Sequence, residues 1–355
     1  MALPAAAARH LHQWYKAAER RECRLHYLFL ELTRSCNLSC RHCGSDCTTT
    51  SPAASLSTPQ WVALLDHIAA SFSPLPTLVL TGGEPLLHPD FTEILALCHK
   101  RAISWGLVTN GYALTGPVME TLQRYGCCGI TLSVDGLREN HDWLRNRAGA
   151  FDRTVRALDF IATSSIPLRD AVTCVNPRNI NELDAIASLL IGHRMPAWRL
   201  FRIFPAGRAR DNEELLLSKE NTSLMIRWIR DNRPSLRNRG LAVQLSCEGW
   251  MPFAVDRTVR DQPFFCRAGI NIASVLCDGT VTGCSNNDAR FYQGNVLTEQ
   301  FEQIWRTKFG SMRDRTWVRG TSCGSCRHVR ECEGGSLHLW RGHADKPDFC
   351  YADCC

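Results

Sequence analysis

No apolar run in this chain of 355 residues approaches the roughly 20 residues a membrane-spanning helix requires, so no span is expected. No secretory signal is expected either, because Met1-Ala2-Leu3-Pro4-Ala5-Ala6-Ala7-Ala8-Arg9 lacks a basic start and Pro4 breaks its short apolar part. That stretch reads as an end leading into a short helix, and a reducing, cytoplasmic setting is expected. Charge of one sign is scarce: the formal net charge of +6 is spread out, with residues 145–156 and 199–210 the richest in arginine. There is no basic helix and no aromatic-rich sheet motif, which argues against nucleic-acid binding. What remains is an ordinary globular chain, 45% hydrophobic and 21% charged, long enough for one large domain and a smaller one.

Cysteine is abundant by contrast: the 19 present are an odd number, so they cannot all pair, and in a reducing compartment clustered cysteines mean metal more often than disulfides. The densest cluster is Cys36-Asn37-Leu38-Ser39-Cys40-Arg41-His42-Cys43, directly after the apolar run Leu28–Leu32. A four-iron cluster normally takes four cysteines, so three in one loop leave one iron open to an exogenous ligand. Zinc is the other reading of this spacing. Farther on, Val79-Leu80-Thr81-Gly82-Gly83-Glu84-Pro85 reads as a strand followed by a glycine pair, a carboxylate and a proline. Alone it is only a turn, but it follows a predicted strand as the cysteine loop does.

From about residue 26 to 205 apolar runs alternate with helix-period segments, the pattern of a parallel α/β domain. The runs are 28–32, 77–80, 104–108, 129–134, 171–175 and 198–204, which makes six strands. Between them Ser57-Thr58-Pro59 caps a helix with Trp61, Leu64, Leu65 and Ile68 on one face. Further core stripes are expected at Val118, Leu122 and Tyr125, at Phe151, Val155, Leu158 and Ala162, and at Leu183, Ile186, Ala187 and Leu190.

Together the two motifs resemble the radical S-adenosylmethionine (SAM) enzymes. The resemblance implies an open, partial (β/α)6 barrel of the TIM type, with its site at the carboxyl ends of the strands. It implies that Cys36, Cys40 and Cys43 hold a 4Fe–4S cluster whose open iron is chelated by SAM, and that Gly82, Gly83, Glu84 and Pro85 contact the methionyl amino group. It implies further that one electron from an external flavodoxin- or ferredoxin-like donor cleaves SAM to a 5′-deoxyadenosyl radical, which abstracts hydrogen from substrate. His42 stands where an aromatic side chain packs near adenine. Ser133 and Asp135 match strand-four residues that contact the ribose or carboxylate of SAM, and Asn176 and Phe204-Pro205-Ala206-Gly207 fall where adenosine is held. Each has an equal reading as a turn residue closing a strand end. His141-Asp142-Trp143-Leu144-Arg145 looks like a segment common in peptide-modifying members.

After a helical, charged bridge, Cys266, Gly279-Thr280-Val281-Thr282-Gly283-Cys284, Cys323-Gly324-Ser325-Cys326, Cys332 and Cys350 resemble the SPASM extension. That extension carries up to two auxiliary iron–sulfur clusters. Cys323, Cys326, Cys332 and Cys350 are a complete set for one, although on spacing alone zinc would claim them; Cys354 and Cys355 could substitute for Cys350. Ser336 stands where the pattern wants a further cysteine, so a first cluster on Cys266 and Cys284, with Cys277 as a further candidate, is open or missing. The remaining cysteines, Cys47 and Cys247 among them, read as small buried or incidental residues.

The expected organisation is therefore an N-terminal extension over 1–25, the barrel over 26–210, a helical bridge over 211–260 and a cysteine-rich domain over 261–355. A peptide or protein side chain is the expected substrate. Sulfatase-type formylglycine maturation is less favoured, because those relatives carry aspartate after the GxxxxC cysteine and this chain has Ser285. Over nearly its whole length the chain looks closest to a subgroup associated with small lipoproteins. Two alternatives stand beside this: a radical SAM enzyme of small-molecule cofactor biosynthesis, and a non-catalytic protein that uses its metal for stability or redox sensing.

Overall fold

Seven strands run parallel from one end of a single open sheet: β1 Tyr27–Glu31, β2 Thr77–Thr81, β3 Trp105–Thr109, β4 Cys127–Ser133, β5 Leu168–Val175, β6 Ala197–Arg202 and β7 Ala242–Leu245. This computed structural model describes residues 5–49, 55–246 and 248–354, so Cys247 and Cys355 lie outside the described residues. The first six strands coincide with the six apolar runs to within a few residues, and Leu28, Leu30 and Leu32 are completely buried. Helices cover the sheet: α1 Ala5–Glu22, α2 Thr58–Ser71, α3 Phe91–Lys100, α4 Gly116–Arg124, α5 Arg138–Arg145, α6 Ala150–Thr163, α7 Leu183–Gly192 and α8 Lys219–Asn238. The result is the open parallel barrel expected of alternating strand and helix patterns. Among the described residues no helix is long and apolar enough to cross a membrane.

Local signals place the helices well. In α2 the Ser57–Gln60 capping box and Pro59 set the start, and Trp61, Leu64, Leu65 and Ile68 are buried as the stripe requires. The α7 stripe is likewise buried. In α4 Leu122 is buried with Met119, while Val118 and Tyr125 pack only half-buried. For α6 the phase differs from expectation: Ala150, Thr154, Ala157, Leu158 and Ile161 are buried, and of the expected stripe only Leu158 is. Phe151 is turned outward against the His141 ring, centroids 5.9 Å apart, so the neighbouring set of apolar positions faces the sheet.

Two departures bear on the site. The bridge over 211–260 is not helical throughout: β7 lies within it and pairs in parallel with β6. The cysteine-rich segment is fused to the barrel, because β8 Ile272–Val275 pairs in parallel with β1, followed by antiparallel β9 Thr280–Thr282 and β10 Gly294–Asn295. The N-terminal helix is longer than expected, with 18 residues, and it clamps this segment. Arg20 Nη1 donates to Glu333 at 2.6 Å, Lys16 Nζ lies 2.9 Å from the same carboxylate, and Arg267 stacks on Tyr15 and Phe265.

Candidate active site

The cysteine loop leaves β1 and is pinned from four directions. The Cys36 amide donates to the Thr48 carbonyl at 3.0 Å, closing the loop on itself. On the β2 side, Gly83 N donates to Thr33 O at 2.7 Å and Glu84 N to Ser35 O at 2.9 Å, so the glycine–glycine–glutamate turn is zipped to the loop's first residues. On the α5 side, Arg41 N donates to Leu144 O at 2.8 Å. Beyond β6, Arg208 donates through Nε to Cys40 O at 2.7 Å and through Nη2 to Cys47 O at 3.1 Å.

This packing explains the glycines physically. Gly82 has φ +144°, which side chains rarely adopt, and a Cβ on Gly83 would overlap the Ser35 carbonyl oxygen while lying 2.8 Å from that of Arg34. Gly83→Ala is therefore expected to cost about 1–3 kcal/mol through backbone displacement and to lower the iron bound per chain. Anaerobic melting with iron analysis checks this; an unchanged melting temperature at full iron load would show that the two backbones do not press on each other. Gly207, with φ +50°, makes the same kind of close approach to the main chain of Cys43 and Gly44.

Cys36, Cys40 and Cys43 gather in one small buried cluster with Leu38 and Cys47, and each of the three sulfurs accepts an N–H. Asn110 Nδ2 donates to Cys36 at 3.6 Å, Arg145 Nη1 to Cys40 at 3.6 Å, and the Cys47 amide to Cys43 at 3.4 Å. Burial pushes the Cys36 thiol up to about 12 and also raises Cys40, whereas the Cys47 thiol donating to Cys43 brings the latter down to about 6. No disulfide links the described cysteines, and among the described residues no three His, Cys, Asp or Glu side chains converge closely enough to share a single metal ion.

Behind the loop lies a buried charge pair. Arg145 Nη2 sits 2.6 Å from Asp135 Oδ2, and the two side chains are only 8% and 1% exposed. Burial alone would raise the Asp135 carboxyl and lower the Arg145 guanidinium; their mutual attraction reverses both, with help at Asp135 from His42, His141 and the Cys174 amide at 2.7 Å, and at Arg145 from Cys40. His141 accepts the Asp135 amide at 3.1 Å, and Asp142 accepts the amides of Gly149 and Phe151, both at 2.7 Å. The His141–Arg145 segment thus backs the cysteine loop.

The other expected site residues are placed as follows. Glu84 is fully buried: its oxygens accept from Thr109 Oγ1 and the Asn110 amide, both at 2.8 Å, and burial raises its carboxyl to about 7 against those bonds. Pro85 opens the short turn that Glu84 caps. His42 is neutral, its ring pushed down to about 4 by burial against the pull of Asp135 and a Leu144 backbone hydrogen bond. Ser133 ends β4, half-buried. Asn176 accepts the Arg178 amide at 2.9 Å and donates to Cys174 O at 3.3 Å, so its side chain closes its own turn. The neighbouring Asn179 reaches Asp135 O at 2.8 Å instead.

In the cysteine-rich segment Cys323, Cys326, Cys332 and Cys350 lie within one another's electrostatic reach; burial, then Cys350 and Cys323, raise Cys332 to about 12. Cys266 and Cys332 line a cavity of about 10 Å³ walled by Lys16, Arg20, Trp250 and Glu333, room for about one water. Cys284 packs half-buried against the core. Cys277 is buried at the end of β8 beside Glu31 and Arg34, which places it under the barrel's first strand.

Sequence reasoning placed Asn110 at the strand-three end and Arg145 in the His141–Arg145 segment without giving either a role at the cysteine loop, which both contact, and it missed Arg208, which contacts the loop too, and Glu248. Glu248 is buried just beyond β7, where it accepts from the Tyr351 hydroxyl and the Arg202 backbone. Burial raises its carboxyl to about 7, against the Tyr351 bond and the Arg202 and Arg260 charges. A strand-end polar residue was the available signal for Asn110; Glu248 had none, because β7 was read as bridge.

Residues 30–190 match the radical SAM superfamily, and residues 266–332 match SPASM, an iron–sulfur cluster-binding domain. An AdoMet-dependent heme synthase of Methanosarcina barkeri is 27% identical over 338 residues, covering 89% of this chain and 92% of the relative. Mycofactocin maturase MftC of Mycobacterium ulcerans is 29% identical over 327 residues, covering 86% and 81%. Among solved structures, Streptococcus suis SuiB bound to precursor peptide SuiA superposes with a TM-score of 0.71 at 15% identity, covering 96% of this chain and 79% of that one. The anSMEcpe structure with bound AdoMet and Cp18Cys peptide gives 0.70 at 15% identity, covering 92% and 93%.

Proposed function

Because this chain belongs to the radical SAM superfamily and carries a SPASM iron–sulfur domain, we propose that it abstracts hydrogen from a peptide or protein side chain and so matures it. It is an enzyme that works with a 4Fe–4S cluster, SAM and at least one auxiliary iron–sulfur cluster. The observation that carries the reading is the gathering of Cys36, Cys40 and Cys43, each with an N–H donor at its sulfur, against the glycine–glycine–glutamate turn. This donor set fits the cluster: N–H groups aimed at sulfur favour thiolate over thiol. The His42 ring beside it, an aromatic face next to the loop, fits a nucleoside ligand.

When bound, the cluster and SAM supply the one-electron cleavage that makes an unactivated C–H bond reactive. The chain's own residues bind and orient. Cys36, Cys40 and Cys43 hold the cluster, Arg145 balances thiolate charge at Cys40, and Arg208 keeps the loop closed. Gly82 and Gly83 bring main-chain oxygens to the SAM ammonium, since both oxygens of Glu84 are already taken by Thr109 and Asn110. His42 offers an aromatic face, and Ser133 a hydroxyl at the strand end. Asp135 and Asn176 act one step back, as positioning residues, because Arg145 and the strand-five turn occupy them. Cys323, Cys326, Cys332 and Cys350 hold an auxiliary cluster, with Cys266 and Cys284 belonging to a first set that Ser336 leaves incomplete. An external protein donor supplies the electron.

The peptide assignment draws on the maturase among the relatives and on the SPASM extension; the heme synthases among them favour a tetrapyrrole as the second reading. The test is anaerobic incubation with SAM and dithionite, adding either peptides encoded beside the gene or Fe-coproporphyrin III. Peptide-dependent stimulation of 5′-deoxyadenosine with a mass change in the peptide is expected. Stimulation by the porphyrin alone would transfer the assignment to the second reading.

A further inference from the structure

Past Arg145, whose place is at Cys40, the arginine-rich stretch singled out in the sequence has a definite place in the fold that catalysis does not use. Residues 146–149 link α5 to α6, and there Asn146 and Arg147 meet the outside of the cysteine loop. Arg147 donates through Nη1 to Asn37 O at 2.9 Å and through Nε to the Tyr112 hydroxyl at 3.0 Å, with its guanidinium 4.5 Å from the Tyr112 ring centroid. Arg153 approaches the same ring at 5.6 Å. Arg41, itself in the cysteine loop, and Arg178 stand over Trp143 at 5.2 and 4.3 Å. Arg147, Arg153 and Arg178 are exposed.

We propose that this face, built by Arg41, Arg147, Arg153 and Arg178 on the Tyr112 and Trp143 rings, is where an acidic one-electron carrier protein docks to reduce the cluster. The inference rests on the radical SAM reading above. Position is the first argument. Asn37 adjoins Cys36, and Asn110, two residues from Tyr112, touches the Cys36 sulfur at 3.6 Å, so a carrier seated here is a few bonds from a cluster ligand. Charge is the second. Glu139 offsets Arg178, Asp142 keeps its charge while accepting the Gly149 and Phe151 amides, and Asp152 is matched by Arg138; the four arginines of the face outnumber Glu139 and Asp142, so it stays net positive and complements an acidic partner. Preorganisation is the third: cation–π stacking holds long side chains that would otherwise lose rotamer freedom on docking.

The experiment uses the iron-loaded full chain under anaerobic stopped flow, with reduced flavodoxin and reduced plant-type ferredoxin as acidic probes and dithionite as a small reductant. For the wild type, cluster reduction by at least one carrier is expected to slow about tenfold or more as salt rises from about 0.02 to 0.3 M. Arg153→Glu/Arg178→Glu, whose sites do not touch the cysteine loop, is expected to lower the low-salt carrier rate by about tenfold or more and flatten its salt dependence, with dithionite-driven 5′-deoxyadenosine formation unchanged. If that variant does not load iron, Arg153→Gln/Arg178→Gln decides instead, with a smaller loss in the same direction. Equal carrier rates in variant and wild type, a wild-type rate indifferent to salt, or no reduction by either carrier would overturn the proposal. So would a variant that loses only peptide-dependent product, which would make the face an anionic peptide site. Absence of dithionite-driven SAM cleavage in the wild type would overturn the enzymatic reading itself, and the proposal with it.

Discussion

Cys36→Ala/Cys40→Ala/Cys43→Ala is expected to drop the iron content by about four per chain, from about eight to about four if one auxiliary cluster is present, and to reduce SAM cleavage to background. The expectation is large because Cys47 is the one other thiol among the described residues of that buried cluster, and a single thiol is too few to hold a four-iron cluster. The auxiliary quartet lies in a different part of the fold and should keep its iron, because Cys323, Cys326, Cys332 and Cys350 depend on one another and not on the loop after β1. Iron and sulfide analysis with a 5′-deoxyadenosine assay reads both effects at once. A wild type holding about twelve irons would mean that the first auxiliary site fills despite Ser336. Zinc in place of iron, with no SAM cleavage, would leave a metal-stabilised binding protein.

Arg145→Met should be the most destabilising single change outside the cysteines. It leaves Asp135 charged and almost completely buried, facing only the Cys174 amide and two neutral histidines, and breaking one partner of such a pair costs about 3–5 kcal/mol. The Cys40 sulfur would also lose its guanidinium donor. Asp135→Asn/Arg145→Met should recover much of the loss, because the unpaired charge is then gone; a double-mutant cycle on anaerobic melting measures the coupling. A single variant that melts within a degree of wild type would mean that water reaches Asp135 and the pair is not buried in solution.

Both predictions rest on contacts of different legibility. The three cysteines, the glycine–glycine–glutamate turn and six of the strands stand in short local patterns, since a strand or a metal-binding loop is written in consecutive residues. The α6 face was misjudged by one position because apolar residues occupy both neighbouring stripes and Phe151 leaves the core for the His141 ring. β7 was overlooked because four residues, Ala242–Leu245, carry too little pattern to stand out in a charged segment.

By itself the sequence determined the barrel class and the cysteine loop, for they depend on patterns within a few residues. Only the tertiary structure decided which groups stabilise the thiols. Arg145 meets Cys40 across 105 residues, Asn110 meets Cys36 across 74, and α1 reaches the last third of the chain through Arg20 and Glu333. It likewise decided that Asp135 and Glu84 face protein donors, because burying a carboxylate without them would be prohibitive and the donors come from other strands.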